Sequence, residues 1–142
     1  MRRWISVMAV SALVAGLVVI GGSPASASVD DCPMGYVCLF EHSDARGTMV
    51  KFTANQNASD LSRYLCPVSH CWHGGANFND DMSSWVNNSG VKFCWYFDKD
   101  YQPYYGSRGP RPMPPEAYRV VNLTSFENDQ ASSLHRSGLP GC

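Results

Sequence analysis

The hexad Asn79-Asp80-Asp81-Met82-Ser83-Ser84 returns 49 positions later as Asn128-Asp129-Gln130-Ala131-Ser132-Ser133, with Asn, Asp, Ser and Ser at matched places. Carboxylates, amides and hydroxyls are the oxygen ligands a hard cation takes. The same side chains also close turns by bonding nearby backbone N–H groups, which gives the hexads a structural use without metal. Aromatic residues precede both copies, as Phe78 and Phe126. A pattern this specific, present twice in 142 residues, predicts two copies of one folding unit.

Other chemistry is poorly supplied. Cys66, His70, Cys71 and His73 could be zinc ligands, but their spacing matches no common zinc site. His42, His70, His73 and His135 belong to no nucleophile elbow or other organised constellation, so an enzyme is the least supported class. Trp95, Tyr96, Tyr101, Tyr104 and Tyr105 could form a sugar-binding surface, although aromatics this dense in a β-domain usually pair in the core.

The elements that position these residues belong to an exported chain. Arg2 and Arg3, an apolar run from Trp4 to Ile20, and Ala25-Ser26-Ala27 form a signal peptide over residues 1–27. No other stretch is long and apolar enough to span a bilayer. Removing the leader leaves residues 28–142 as one small domain, with nine basic and twelve acidic side chains and a net charge of −3. Neither a nucleic-acid patch nor a polybasic membrane segment is present. Six cysteines in an exported chain read as three disulfides. Fifteen pairings are possible. The expected set is Cys32–Cys38, Cys66–Cys71 and Cys94–Cys142, two local rings and one long tie.

No helical periodicity is found in the exported part. Gly, Pro, Asn, Asp and Ser punctuate short aromatic and β-branched runs: 36–40, 49–52, 91–97 and 118–122. These predict strands at the spacing of a sandwich or barrel. Cys38-Leu39-Phe40 matches Cys94-Trp95-Tyr96 as the opening strand of each unit, giving repeats over about 36–90 and 91–136. The first unit is longer by about seven residues, and the insertion is expected between Cys66 and Gly75.

Both hexads fit the pattern Asn/Asp, Asn/Asp, any, any, Ser/Thr, Ser, and Phe40 stands an aromatic-x6-Gly distance from Gly47. In these features the chain resembles the βγ-crystallin superfamily. The opening Cys32-Pro33-Met34-Gly35-Tyr36-Val37-Cys38-Leu39-Phe40 is similar to the start of secreted actinobacterial inhibitors of the metalloproteinase-inhibitor type. The resemblance implies an all-β, disulfide-stabilised sandwich of two Greek-key repeats. It further implies a secreted, monomeric inhibitor acting by loop insertion into an extracellular (metallo)protease. The alternative is a calcium-binding module without inhibitory activity. By resemblance, Asp80, Asp81 and Ser83 would serve one calcium site, and Asp129, Gln130 and Ser132 the other. Asp81 and Gln130 would serve mainly through their carbonyls. With few formal charges, the dissociation constant would be about 10⁻⁵ to 10⁻³ M.

An inhibitory loop must be exposed and stiff, because a preordered loop loses less entropy on docking. Two segments qualify. One is the ring Cys66-Pro67-Val68-Ser69-His70-Cys71. The other is the proline-rich stretch 109–115, with Pro112 and Met113 at its centre, which proline would hold extended. In the resembled inhibitors such a ring lies in the second repeat, whereas here it lies in the first. Asn57-Ala58-Ser59, Asn87-Asn88-Ser89 and Asn122-Leu123-Thr124 fit the glycosylation sequon, which matters only in a eukaryotic host.

Overall fold

The computed structural model describes residues 27–65, 77–102, 108–116, 118–139 and 142. The chain is all-β, with short 3₁₀ turns at Val29–Asp31, Leu61–Arg63 and Lys99–Tyr101. Strands β1 (Tyr36–His42), β2 (Arg46–Thr53), β3 (Ser84–Asn87) and β6 (Val121–Asn122) form one antiparallel sheet in the order β2-β1-β3-β6. Strands β4 (Phe93–Tyr96), β5 (Arg111–Met113) and β7 (Ser133–Arg136) form the second, in the order β5-β4-β7.

The two sheets have one plan. In the first, β3 accepts β6 from the second half through Trp85↔Val121. In the second, β7 accepts Ala58 from the first half, where Ala58 and Leu134 exchange two backbone hydrogen bonds of 2.8 Å. Each sheet thus borrows its fourth element from the other repeat. A crossed exchange of this kind makes the halves a pseudo-symmetric pair that cannot separate without breaking sheet hydrogen bonds.

Strand alternation explains the burial. Val37 and Leu39 of β1, Trp85 of β3, Phe93 and Trp95 of β4, and Leu134 of β7 meet between the sheets. Full burial of each such side chain contributes about 1.5–3 kcal/mol. The opposite face of β1 is buried too. Cys38 and Phe40 lie with Val86 under the N-terminal segment, against Cys32 and Val29. The Cys32–Cys38 disulfide pins that segment in place. At the matching position of the second half, Cys94 is bonded to Cys142 and ties down the C-terminal segment. Equivalent central-strand cysteines therefore anchor opposite chain ends. Cys66 and Cys71 lie outside the described residues.

The four anticipated strands correspond to β1, β2, β4 and β6, the last covering only Val121–Asn122; Tyr118, at the start of the expected run, has a φ of 59°. Strands β3, β5 and β7 were not foreseen. Trp95 and Tyr96 are buried to 1% exposure, which removes both from any sugar-binding surface. Tyr104 and Tyr105 lie outside the described residues. No helix among the described residues is long and apolar enough to cross a membrane.

Candidate functional site

Each hexad carries the chain into the last strand of its half, β3 or β7. Its second residue sits in the left-handed region, with φ of 58° at Asp80 and 55° at Asp129. Aspartate tolerates this conformation better than most residues. The two turns face each other. The Asp80 N–H donates to the Ala131 carbonyl, and the Asp129 N–H to the Met82 carbonyl, both at 3.0 Å.

Fifth and sixth positions divide the work. The sixth serines are fully buried and clamp the folded hairpins. Ser84 Oγ donates to the His42 carbonyl (2.6 Å) and accepts the Ala45 N–H (3.1 Å). Ser133 Oγ donates to the Asp98 carbonyl (2.6 Å) and accepts the Tyr101 N–H (3.2 Å). These bonds hold left-handed backbone, with φ of 62° and 56° at Asp44 and Ala45, and 56° and 58° at Asp100 and Tyr101. In the first hairpin Gly47 completes the fold-back. Its φ is +80°, and a Cβ there would lie 2.9 Å from the His42 ring.

The fifth serines instead meet carboxylates, and they do so across the halves. Ser132 Oγ donates to Asp80 Oδ1 at 3.1 Å, and Ser83 Oγ approaches Asp129 Oδ1 at 3.5 Å. Asn79 and Asn128 donate their amides to the other oxygens of the same carboxylates, at 2.5 and 2.6 Å. These hydrogen bonds are crossed, Asp80 with Ser132 and Asp129 with Ser83, whereas the expected calcium sets group Asp80 with Ser83 and Asp129 with Ser132. The reason is the pseudo-two-fold, which sets the start of one turn against the end of the other. The repeat in the sequence was the signal for it.

Asp80, Asp81, Asp98, Asp129, Ser132 and Arg108 line a cleft of about 870 Å³ between the turns. Glu41, His42, Ser83, Asn128 and Asp129 line a smaller hollow of about 270 Å³ on the other side. Burial raises the Asp80 carboxyl above its usual range, and hydrogen bonds from Ser132 and Asn79 with the positive Lys99 and Arg108 partly offset it. Asp81 is almost fully buried at 1% exposure. The Gln130 side chain donates to the Asp129 carbonyl at 2.9 Å.

The oxygens present fit a hard cation. At the Asp80 half-site a carboxylate and a hydroxyl meet, and beside them Asn79, whose NH₂ donates to the carboxylate, has its Oδ1 buried with no hydrogen-bond partner. Among the described residues no three His, Cys, Asp or Glu side chains are grouped to hold a metal, so the ligand set would be mixed and low in charge.

Beside the cleft, the chain on either side of residues 66–76 pairs as a stem. Leu65 and Asn77 pair as an antiparallel bridge, and the Phe78 N–H donates to the Tyr64 carbonyl at 3.0 Å. Phe78 and Leu61 are fully buried, and the Tyr64 ring packs edge-on against Phe52 at 4.8 Å. The candidate loop residues Cys66, Pro67, Val68, Ser69, His70 and Cys71 lie outside the described residues, as does the rejected zinc ligand His73.

Pro112 and Met113 are a correction. They belong to strand β5, where Pro112 pairs with Cys94 and Met113 with Phe93. Met113 is fully buried, and its carbonyl accepts the Asn87 amide at 2.7 Å. Strand β5 is an edge strand, where the N–H that proline lacks is not needed on the unpaired side. Pro112 is exposed but held in a paired strand, and Met113 is buried, so the pair does not form a free loop.

The three sequon asparagines are engaged as well. Asn57 Oδ1 accepts the Arg136 N–H at 2.8 Å, and Asn122 exchanges two hydrogen bonds with Asp44. Asn87 is fully buried.

Two facing Greek-key units, with paired Asn-Asp-x-x-Ser-Ser turns between them, define a βγ-crystallin-like domain. The chain matches the sequence profile of peptidase inhibitor family I36 over residues 25–107, more than half its length, and belongs to that family. No curated protein matches it. Similar solved structures include βγ-crystallin domains. One, from work on the evolution of the eye-lens βγ-crystallin fold, is 23% identical and covers 76% of this chain and 91% of its own, with a TM-score of 0.53. A βγ-crystallin from Ciona intestinalis is 23% identical and covers 72% of this chain and 100% of its own, with a TM-score of 0.50. The N-terminal domain of protein S is 15% identical, with coverages of 74% and 98% and a TM-score of 0.50. At these identities the likeness establishes the fold. The family defines the chain as a peptidase inhibitor, not an enzyme, with a protease as its partner.

Proposed function

We propose that residues 1–27 export the chain, and that the mature monomer blocks an extracellular metalloprotease by inserting the segment between Cys66 and Cys71. The observation that supports this reading is the stem. Leu65 is 72% exposed, yet beside it the Phe78 N–H bonds the Tyr64 carbonyl, Asn77 Oδ1 accepts the Asn79 N–H, and Phe78 is fully buried in the core. A segment leaving from so fixed a base loses less entropy when it docks. Pro112 of the other candidate segment lies in a paired strand. The test is a titration of purified residues 28–142 against thermolysin-type and serine proteases. Stoichiometric inhibition of the first group supports the reading. No inhibition of either group at micromolar protein, with the fold intact, overturns it.

A second reading concerns calcium, and the crossed Asp–Ser pairs favour it. Asp80, Ser132 and Asn79 would hold one ion, and Asp129, Ser83 and Asn128 the other, with nearby carbonyls and water completing each shell. Bound calcium would supply a positive bridge between the two halves. The few charges suit weak affinity in the extracellular range. Calorimetry with calcium, on the wild type and on Ser83→Ala with Ser132→Ala, tests it. Binding that both substitutions weaken supports the sites. Absence of heat and of any thermal shift leaves the hexads as turn devices.

A further inference from the structure

The two hexads make the same bonds but differ in what leads into them. The second follows a self-contained turn. There the Glu127 and Asn128 N–H groups both reach the Thr124 carbonyl at 2.9 Å, and the Thr124 hydroxyl donates to the Glu127 carboxylate at 2.8 Å. The first follows the stem of the 66–76 segment directly. Asn77 takes part in both: it pairs with Leu65, and its Oδ1 accepts the Asn79 N–H at 3.1 Å. Asp80 is the next residue. We propose that a divalent cation at the Asp80–Ser132 half-site tightens this stem, so that cation occupancy regulates the inhibitor. The inference rests on both readings of the preceding section.

Shared bonds couple the stem to the half-site. Separating Leu65 from Asn77 moves Asn77, breaks its bond to the Asn79 N–H and displaces Asp80. Asp80 is tied to the second half through its N–H on Ala131 and its carboxylate on Ser132. A cation bridging Asp80 to Ser132 therefore resists the same motion that opens the stem. The Asp129–Ser83 half-site lacks this link. It borders Glu41 and His42 at the end of the β1–β2 hairpin.

Linkage sets the size of the effect. When opening removes a ligand, a cation at ten times its dissociation constant slows exchange through the open state about elevenfold. The experiment is amide hydrogen exchange at Phe78, whose N–H closes the stem, in excess calcium and in chelator. It is run on the wild type, Ser132→Ala and Ser83→Ala, with calorimetry and inhibition measured in parallel. The expected result is about tenfold slower exchange and tighter inhibition with calcium. Ser132→Ala is expected to lose both effects; Ser83→Ala is expected to lose the heat of the Asp129 half-site and to keep the slower Phe78 exchange. Three results overturn the proposal, each in its own way. No heat of binding means that the cation reading itself fails. Binding without slower Phe78 exchange refutes the link to the stem and leaves the cation reading standing. Slower exchange with unchanged inhibition refutes the regulatory role.

Discussion

Replacing Ser84 with alanine should cost far more stability than replacing its neighbour Ser83. Both serines are buried, at 0% and 7% exposure, and the substitution removes the same hydroxyl. The difference lies in what is left behind. Without Ser84 Oγ, the His42 carbonyl loses a 2.6 Å donor and the fully buried Ala45 N–H loses its acceptor. The buried Ala45 N–H left unsatisfied costs about 1–3 kcal/mol, and the lost bond to the exposed His42 carbonyl about 0.5–1.5 kcal/mol, so about 2–4 kcal/mol is expected. Ser83 Oγ has only a 3.5 Å approach to Asp129, at the limit of a hydrogen bond, and its loss should cost less than about 1 kcal/mol without metal. Ser133→Ala should fall between them, because Tyr101 is only half-buried and water can reach its N–H. Urea unfolding in chelator measures all three. With a slope of about 2 kcal/mol per molar, the Ser84→Ala midpoint should drop by about 1–2 M with the slope unchanged. Equal losses for Ser83→Ala and Ser84→Ala would refute the division between a ligand serine and a clamp serine.

Further expectations follow from single interactions. Asn87→Ala should destabilise by about 2–4 kcal/mol in the same unfolding assay, since its buried amide bonds Val91, Met113 and Ser89 and so joins β3 to the second sheet. Losing the Cys94–Cys142 disulfide, which closes 48 positions, should cost about 4 kcal/mol on the loop-entropy model, read as a lower melting temperature in the double alanine variant. Asp60 is held below its usual carboxyl range, first by the Ser62 hydroxyl and then, against partial burial, by the Ser62 N–H and Lys99. Its contribution is therefore complete above pH 3.8 and lost as pH falls through the lowered value; Asp60→Asn should flatten that part of the acid-unfolding curve.

The fold was readable because repetition is a strong signal. Cys38-Leu39-Phe40 and Cys94-Trp95-Tyr96 do open equivalent strands, and the Phe40 and Tyr96 carbonyls accept the Ser83 and Ser132 N–H groups at the same 2.9 Å. Strands β3 and β7 escaped notice because each opens with serine and carries asparagine, histidine or arginine, and is only four residues long. Their strand character comes from pairing with β1 and β4, not from local preference. Pro112 misled for the opposite reason. Proline argues against a central strand, and an edge position cannot be recognised in one sequence. The hexads identified candidate oxygens but not their partners, since Ser132 reaches Asp80 only through the exchange of β6 and Ala58 between sheets. Asn87 looked like a surface sequon, and its burial depends on Met113, 26 positions away.

The measurement closest to the central claim compares two proteins in one titration. The first is residues 28–142; the second is the same chain with residues 67–70 replaced by glycine and serine. Both are titrated into a thermolysin-type metalloprotease, with circular dichroism recorded to show that each is folded. The account predicts complete inhibition near one inhibitor per enzyme for the first and at least hundredfold weaker inhibition for the second, equivalent to about 2.7 kcal/mol of binding free energy. Equal inhibition by both proteins would contradict it.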